Sequence, residues 1–361
     1  MLKANGMKKI VSLIVTVVFL SAMHAQEFNT LVWSDEGDGS GMIDTSKWYH
    51  QTQLPNGNSW YNSEIQHYTD RVENSFYQDG YLYIKAIKET FTDQGVTKEH
   101  TSARLNSKFA FTYGRVEVRA ALPFGVGTWP AIWTLGRNIS EPGAYWQSTH
   151  GTTGWPACGE IDIMEHWGKN QNYVSSAIHT PSSYGATVNV GGMMLDDVSN
   201  TYHIYAMEWT EDKIEFSIDG DVHYTYEPQV KNAETWPFDK PQYLLLNIAI
   251  QPSIQASFTE SNMVIDYVRV YQESPTGVEE KGEQGFELFP NPSNGGVQVN
   301  LPPNFQGGSI SVNSLDGKLV SQEGNVTRLH RLDTSSLEQG MYIVQAMSPE
   351  GEVLTERLVV E

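Results

Sequence analysis

The sequence predicts an all-β fold, with a large two-sheet sandwich or jelly roll followed by a smaller β unit. Three observations predict it. From about Phe28 to Gln272, segments rich in β-branched and aromatic residues follow one another, many with a period of two. No stretch shows a sustained helical period with caps. A charged, Pro- and Gly-bearing stretch over residues 273–285 then reads as a linker before further strand patterns.

The first strand patterns share alternation and flanking turn signals. In chain order they cover residues 80–88, 115–123, 160–164, 202–209, 213–226, 242–250 and 263–272. The IDGD sequence at 218–221 predicts a hairpin turn, because Asp-Gly suits tight two-residue turns. So many short strands over residues 26–272 favour a sandwich or jelly roll. Residues 286–361 hold two further strand-turn-strand patterns, at 286–302 and 342–361.

The N-terminus has the pattern of a targeting segment. Lys3, Lys8 and Lys9 precede a short apolar run over residues 10–20, and the run is followed by SAMHA, which ends in the small residue Ala25. The run is short for a membrane span, so we expect a signal peptide over residues 1–25, with an uncleaved anchor as the alternative.

Composition excludes several classes of function. The formal net charge is −20 with no basic patch, so a nucleic-acid partner is not expected. Cys158 is the one cysteine, which rules out an internal disulfide, and zinc-type clusters are absent. Cys158 lies close to an acidic motif, which raises the alternative of a nucleophile, but a small buried apolar residue is the favoured interpretation.

The acidic motif is GEIDIMEHWG, from Gly159 to Gly168. Strand side chains alternate between faces, so Glu160 and Asp162 share one face. In strict alternation Glu165 would point the other way. A β-bulge around Ile163–Met164 would shift the phase by one residue and return Glu165 to that face.

Three carboxylates on one face repel each other and raise at least one pKa, which suggests a functional cause. Retaining glycoside hydrolysis needs two carboxyl groups roughly 5–5.5 Å apart, one as nucleophile and one as acid/base. A third carboxyl between them can tune both. The alternative is a solvated acidic strand edge, for which Glu-Ile-Asp-Ile alternation is ordinary.

The motif and its surroundings resemble glycoside hydrolase family 16, specifically its laminarinase-like (β-1,3-glucanase) members. The resemblance extends over most of residues 30–272. It is carried by LVWSDEGDGSG, WYNSEIQHYTDR, TSARLNSKFAFTYGRVEVRAALPFGVGTWPAIWTLG, GWPACGEIDIMEHWG, WPFDKPQYLLLN and IDYVRVYQ. It implies a concanavalin-like β-jelly roll with a glucan cleft on its concave sheet. By position, Glu160 is implied as nucleophile, Asp162 as helper and Glu165 as acid/base.

The resemblance also implies substrate-binding residues. Trp129 and Trp133 have an even spacing, so one strand face can hold both, and indole faces stack on pyranose rings. The other candidates match family positions near the cleft or the catalytic strand: Asn62, Glu64, Arg115, Trp155 and His179. For the tryptophans the alternative is a place in the core, and for the polar residues a structural hydrogen bond.

Two departures from the family pattern affect these expectations. After LLLN the family has a Gly- and Trp-rich loop, whereas this chain reads LNIAIQPSIQASFTE, which puts affinity and linkage preference in doubt. Gly37 replaces the usual Phe after Asp-Glu. Many family members also bind one structural calcium on the convex side, through carbonyls and an aspartate, and the matching positions are Glu36, Gly80 and Asp266. The alternative is no ion, and no cofactor is expected for catalysis.

The second unit resembles the type A C-terminal sorting domain of the type IX secretion system. LFPNPSNGG, LDGKLV, LEQGMYIVQA and ERLVVE carry this likeness. It implies a small Ig-like β-sandwich over residues 286–361 that serves export across the outer membrane, by way of the secretion machinery. An accessory sugar-binding module is the alternative, although this stretch has no Trp.

We therefore expect an exported endo-β-1,3-glucanase that acts as a monomer on a polysaccharide. The alternatives are a family 16 enzyme acting on mixed-linkage β-glucan or on an algal galactan, a lectin-like binding module and a structural surface protein. The three motif carboxylates argue against the last two.

Overall fold

The structure is a computed structural model of the 361-residue chain. It describes residues 28–273, 286–315 and 317–361. The expected signal peptide and almost all of the expected linker lie outside the described residues. The chain divides into two compact units, Met1–Ser274 and Pro275–Glu361.

The described part of the first unit contains seventeen strands in two sheets. Nearly all of the strand pairs in these sheets are antiparallel. The strands are β1 Phe28–Asp35, β2 Trp48–His50, β3 His67–Tyr68, β4 Ser75–Gln78, β5 Tyr81–Asp93, β6 Val96–Ser102, β7 Arg104–Phe111, β8 Gly114–Ala121, β9 Thr128–Gly136, β10 Glu160–His166, β11 Tyr173–His179, β12 Val190–Met194, β13 His203–Trp209, β14 Ile214–Ile218, β15 Asp221–Tyr226, β16 Gln242–Ile250 and β17 Glu260–Glu273. A four-residue helix, α1 Gln147–His150, and a 3₁₀ turn, Gly168–Asn170, interrupt them.

The two sheets have different roles. The ten-stranded sheet runs in the order β15-β14-β13-β8-β17-β5-β6-β3, with β1 on β17 and β4 on β5. The seven-stranded sheet runs β12-β11-β10-β9-β16-β7-β2 and carries the acidic motif on β10, next to its central strand β9. This stacked arrangement confirms the predicted jelly roll.

Strand β16 shows why the sheets stack. All nine of its residues are buried. Leu244, Leu246, Ile248 and Ile250 point between the sheets into the main core. The intervening residues face the opposite side, where Asn247 and Ala249 line a cleft. Because successive side chains alternate, one strand closes the core and forms the cleft floor.

The sequence-based strand predictions are confirmed for all seven segments of the first unit, and the Asp-Gly turn is present. Asp219 and Gly220 have φ values of 54° and 89° between β14 and β15, as a tight hairpin turn requires. Within the part of the chain that the structure describes, no helix is long and apolar enough to cross a membrane.

The second unit is a small β-sandwich with its own core. Its strands are β18 Glu287–Phe289, β19 Val297–Asn300, β20 Ser309–Ser314, β21 Leu319–Gly324, β22 Leu329–Leu332, β23 Gly340–Met347 and β24 Val353–Val360, with a 3₁₀ turn at Pro303–Phe305. They form one three-stranded and one four-stranded sheet. Phe286, Phe305 and Leu358 are among the residues buried between them.

Candidate active site

Strand β10 contains the predicted bulge. Along its pairing with β11, Asp162 faces Ala177 and Glu165 faces Ser175. Three steps on β10 therefore match two on β11, and the pairing with β9 shows the same slip. One extra residue inverts the alternation, so Glu165 returns to the face that holds Glu160 and Asp162.

Two consecutive apolar residues account for the bulge. Ile163 and Met164 are 1% and 0% exposed, and both belong to the core between the sheets. In a regular strand one of them would point into the cleft. Burying both side chains favours the bulged form, since a buried Ile or Met is worth about 1.5–3 kcal/mol. The Ser176 hydroxyl also donates to the Ile163 carbonyl at 2.7 Å.

The strand register then sets the neighbours of each carboxylate. Glu160 lies between His179 and Leu135 on the adjacent strands. Asp162 lies beside Trp133, and Glu165 lies beside Ala131. Trp129, two residues before Ala131, shares the same face, so the even spacing does place both tryptophans in the cleft.

The cleft on this concave face encloses about 610 Å³. The structure brings nearly all of the expected site residues together there. Those lining it are Asn62, Glu64, Trp129, Trp133, Trp155, Glu160, Asp162, Glu165 and His179.

Arg115 is the exception, and its expected place near the cleft is wrong. It lies on β8 in the ten-stranded sheet, where Val116 and Val118 point into the core. Alternation therefore sends Arg115 to the opposite, outer face. There it pairs with Glu117 and with Glu208.

Several cleft residues escaped the sequence analysis. They are Tyr61, Arg104, Glu141, Trp167, Asn247 and Gln251. Arg104 forms a buried ion pair with Glu141, with both carboxylate oxygens 3.0 Å from Nη2. Trp167, in the HWG that ends the acidic motif, stacks on Trp129 with 4.1 Å between the ring centroids. The sequence could have indicated Trp167 as a cleft residue, because it lies within the acidic motif. It gave no indication of the Arg104–Glu141 ion pair, because the two residues are far apart in sequence.

The loop after β16, which departs from the family pattern, folds against the core. Ile254 packs on the main core and Phe258 is buried in it. Gln251 is its contribution to the cleft.

Indole N–H groups fix the two outer carboxylates. Trp155 donates to Glu160 Oε2 at 3.0 Å, and Trp129 donates to Glu165 Oε1 at 3.0 Å. Trp133 instead donates to Asn247 Oδ1 at 2.8 Å. Trp129 and Trp133 are partly buried and Trp155 is exposed, and these bonds orient the rings as well as the carboxylates.

Burial controls the charge of the cluster. It raises the pKa of Asp162 to about 8. It also raises the pKa of Glu165 to about 8, with a further rise from the charge of Asp162 and an opposing effect of the Trp129 hydrogen bond. Burial and the charge of Asp162 raise the pKa of Glu160 well above its usual range, against the influence of His179. Three desolvated carboxyls so close together cannot all be ionised at neutral pH.

Two expected substrate-binding residues, His179 and Glu64, contact neighbouring side chains of the protein. His179 Nε2 lies 3.1 Å from Asp162 Oδ2 and 3.5 Å from Glu160 Oε1. Glu64 is held by Tyr68 and Gln66, at 2.9 and 2.8 Å. Cys158 is buried and its thiol pKa is raised by burial, which supports the apolar interpretation over a nucleophile.

Only one side chain is among the expected calcium ligands, the carboxylate of Asp266, and it is bound by Arg119. Calcium needs oxygen ligands free to coordinate, so this ion pair would have to open. The other expected ligands, at Glu36 and Gly80, are backbone carbonyls; the ion pair of the Glu36 side chain with Arg269, with Nη2 2.7 Å from Oε2, does not involve them. Gly37, at φ 69°, lies against Gly80, and a Cβ there would come within 2.7 Å of the Gly80 carbonyl oxygen, so this backbone suits glycine. Calcium binding stays a prediction.

Residues 62–269 match the model of glycosyl hydrolases family 16. A beta-glucanase from Rhodothermus marinus is 38% identical over 259 residues, covering 67% of this chain and 85% of that protein. The chain belongs to glycosyl hydrolases family 16. A LamA variant from Z. galactanivorans, crystallised with laminaritriose and laminaritetraose, is 46% identical with a TM-score of 0.63, covering 68% of this chain and all of that one.

Another relative is a keratan-sulfate endo-1,4-beta-galactosidase from Sphingobacterium multivorum. It is 31% identical over 319 residues, covering 83% of this chain and 66% of that protein. Residues 287–361 match the secretion system C-terminal sorting domain. The chain is therefore a glycoside hydrolase that is exported to the cell surface or secreted, which confirms both family resemblances.

The raised pKa of Glu165 predicts a pH-dependent stability. The folded state holds its proton up to about pH 8, whereas the unfolded state releases it near 4.5. The stabilisation from protonated Glu165 is therefore complete below about pH 4.5 and is lost as the pH rises towards 8. Glu165→Gln mimics the protonated form, so its melting temperature should match the parent protein near pH 4.5 and exceed it by several degrees at pH 8.

Thermal melts of both proteins between pH 4.5 and 8.5 measure this difference. Glu211→Gln, at an exposed position outside the cleft, is the matched control and should show a constant difference across the range. An equally constant difference for Glu165→Gln would show that Glu165 ionises normally in the folded protein.

Proposed function

We propose that the protein is a secreted, retaining endo-β-1,3-glucanase, with Glu160 as nucleophile, Glu165 as acid/base and Asp162 as helper. The single observation that carries the proposal is the bulge, which puts these three carboxyls on one face of the cleft. The names of relatives in the family, which include glucan endo-1,3-beta-glucosidase A1 and laminarinase, support the glucan substrate.

The reaction follows from the two outer carboxyls. Ionised Glu160 attacks the anomeric carbon while the glycosidic bond breaks, and Glu165 gives its proton to the leaving oxygen. Glu165, now a carboxylate, takes a proton from water, and that water's oxygen bonds to the anomeric carbon. The bond to Glu160 breaks in the same step, and both carboxyls return to their starting states.

The electrostatics support this division of roles. A proton donor must keep its proton at neutral pH, and the pKa of Glu165 near 8 satisfies that need. Within the Glu160–Asp162 pair, Trp155 donates directly to Glu160, and a hydrogen bond to the ionised form favours that form. Asp162 Oδ2 accepts no hydrogen bond of standard geometry from the described residues. We therefore assign the negative charge to Glu160 and the proton to Asp162, whose own pKa is raised to about 8.

The charge of the cleft supports a neutral polymer over a sulfated one. Five acidic residues line it: Glu64, Glu141, Glu160, Asp162 and Glu165. Arg104 is the one Lys or Arg among the described lining residues, and Glu141 already neutralises it. An anionic sulfate would therefore find no free Lys or Arg among these residues and would be repelled by ionised Glu160. Tryptophan faces, in contrast, suit uncharged pyranose rings.

The open question is linkage, since the loop containing Gln251 differs from the family pattern. Comparison of laminarin, mixed-linkage β-glucan, agarose and κ-carrageenan as substrates tests the assignment. We expect the highest kcat/KM on laminarin and no turnover of carrageenan. Preference for either galactan would overturn the glucan assignment.

The carboxyl roles predict large losses of turnover. Glu160→Gln and Glu165→Gln should each lower kcat on laminarin by at least about a thousandfold, because each carboxyl acts mainly in the transition state. Asp162→Asn should lower it less. Circular dichroism checks that each variant is folded. Near-normal turnover in either glutamine variant would rule out the mechanism.

A further inference from the structure

His179 ends β11 beside the catalytic pair but has no part in the double displacement described above. We propose that His179 is a positioning residue, locked as the Nε2–H tautomer, whose N–H stabilises the negative charge of the Glu160–Asp162 pair. The proposal rests on the proposed glucanase mechanism for its kinetic consequence, but the tautomer itself does not depend on that mechanism.

The tautomer follows from one hydrogen bond. The Gly185 backbone N–H lies 3.1 Å from His179 Nδ1 and points at it. A backbone N–H can only donate, so Nδ1 must accept with its lone pair. In a neutral imidazole the hydrogen then resides on Nε2, the nitrogen that faces the carboxylates.

The loop that presents Gly185 is itself fixed. Thr180 and Ser183 exchange two backbone hydrogen bonds of 2.9 and 3.0 Å. Ser183 and Thr187 hydroxyls are 2.9 Å apart across the same loop. Gly185 has φ 65°, a left-handed conformation that glycine adopts without strain. The donor to Nδ1 is thus part of a closed turn rather than a loose segment.

The Nε2–H lies between the two carboxylates rather than along one hydrogen-bond axis. The Nε2 nitrogen is 3.1 Å from Asp162 Oδ2 and 3.5 Å from Glu160 Oε1. Asp162 Oδ2 is buried and has no partner of standard hydrogen-bond geometry among the described residues. His179 is itself only 8% exposed, so this N–H dipole acts on the pair with little screening by water.

The same geometry argues against a metal site. Ligand atoms of Glu160, Asp162 and His179 lie within 4.8 Å of one another, which would suit an ion. A metal on Nε2 would have to displace its hydrogen. Protonation of Nδ1 would then oppose the Gly185 N–H at 3.1 Å, donor against donor. The locked tautomer also leaves neither ring nitrogen free to act as a general base.

Two substitutions separate positioning from other roles. His179→Gln retains an N–H group at about the reach of Nε2, whereas His179→Asn is polar but too short. On laminarin we expect His179→Gln to keep kcat within about tenfold and His179→Asn to lower it by about 10- to 100-fold beyond that, with KM little changed. Thermal melts check that both variants are folded. Equal losses in both variants would indicate an imidazole-specific role, and a rise in KM alone would indicate sugar binding; either result overturns the proposal.

The tautomer is measured directly by ¹⁵N NMR of the full chain labelled with [¹⁵N]histidine. The His179 signals are assigned by their loss in His179→Gln. We expect a directly bonded hydrogen on Nε2, an unprotonated Nδ1, and no change of either signal when Zn²⁺ is added. A hydrogen on Nδ1, or a Zn²⁺-dependent shift at Nε2, would overturn the proposal. Because this readout needs no turnover, its failure is distinguishable from failure of the glucanase assignment.

Discussion

One extra residue in β10 determines where the three carboxyls that we propose as catalytic groups lie. Ile163 and Met164 both bury their side chains in the core, so the strand must slip by one position against both neighbours. The slip carries Glu165 to the face of Glu160 and Asp162. The hydrophobic effect thus stabilises a local irregularity that the charged residues could not produce alone, since three carboxyls on one face repel each other.

The surroundings of β10 then set the protonation and the orientation of the three carboxyls. Burial raises all three pKa values, and indole N–H groups from Trp155 and Trp129 hold the two outer carboxyls in fixed orientations. The opposite charge assignments of Glu160 and Glu165 therefore come from their neighbours rather than from the carboxyls themselves. Because burial raises these pKa values, we expect the folded protein to be less stable near pH 8, as is common where a site must stay desolvated.

Alternation in the sequence was sufficient to predict the strands, and the Asp-Gly pair was sufficient to predict the turn at Asp219–Gly220. The bulge was predicted where strict alternation would turn Glu165 away from Glu160 and Asp162. All three are local features of the chain. The misplacement of Arg115 has a different origin. Its neighbours Val116 and Val118 show that it faces away from the core, but they do not show which of the two sheets contains the strand. That depends on the pairing of β8 with β13 and β17, which is non-local.

The same limit explains the other residues that the sequence did not predict. Arg104 and Glu141 meet across 37 residues of chain, and the arginines that neutralise Glu36 and Asp266 come from other strands. Only the assembled sheets bring such partners together. Trp167 could have been predicted as a cleft residue, because it lies within the acidic motif. Its contact with Trp129 joins the adjacent ends of β10 and β9.

The stereochemistry of hydrolysis tests the central claim most directly. Carboxyls on the same cleft face, roughly 5–5.5 Å apart, give retention, whereas inversion needs a gap of roughly 6.5–9.5 Å to hold a water. Proton NMR of the first products released from laminarin, recorded before mutarotation, distinguishes the two. The bulged arrangement of Glu160 and Glu165 predicts the β anomer. An initial α anomer would contradict it.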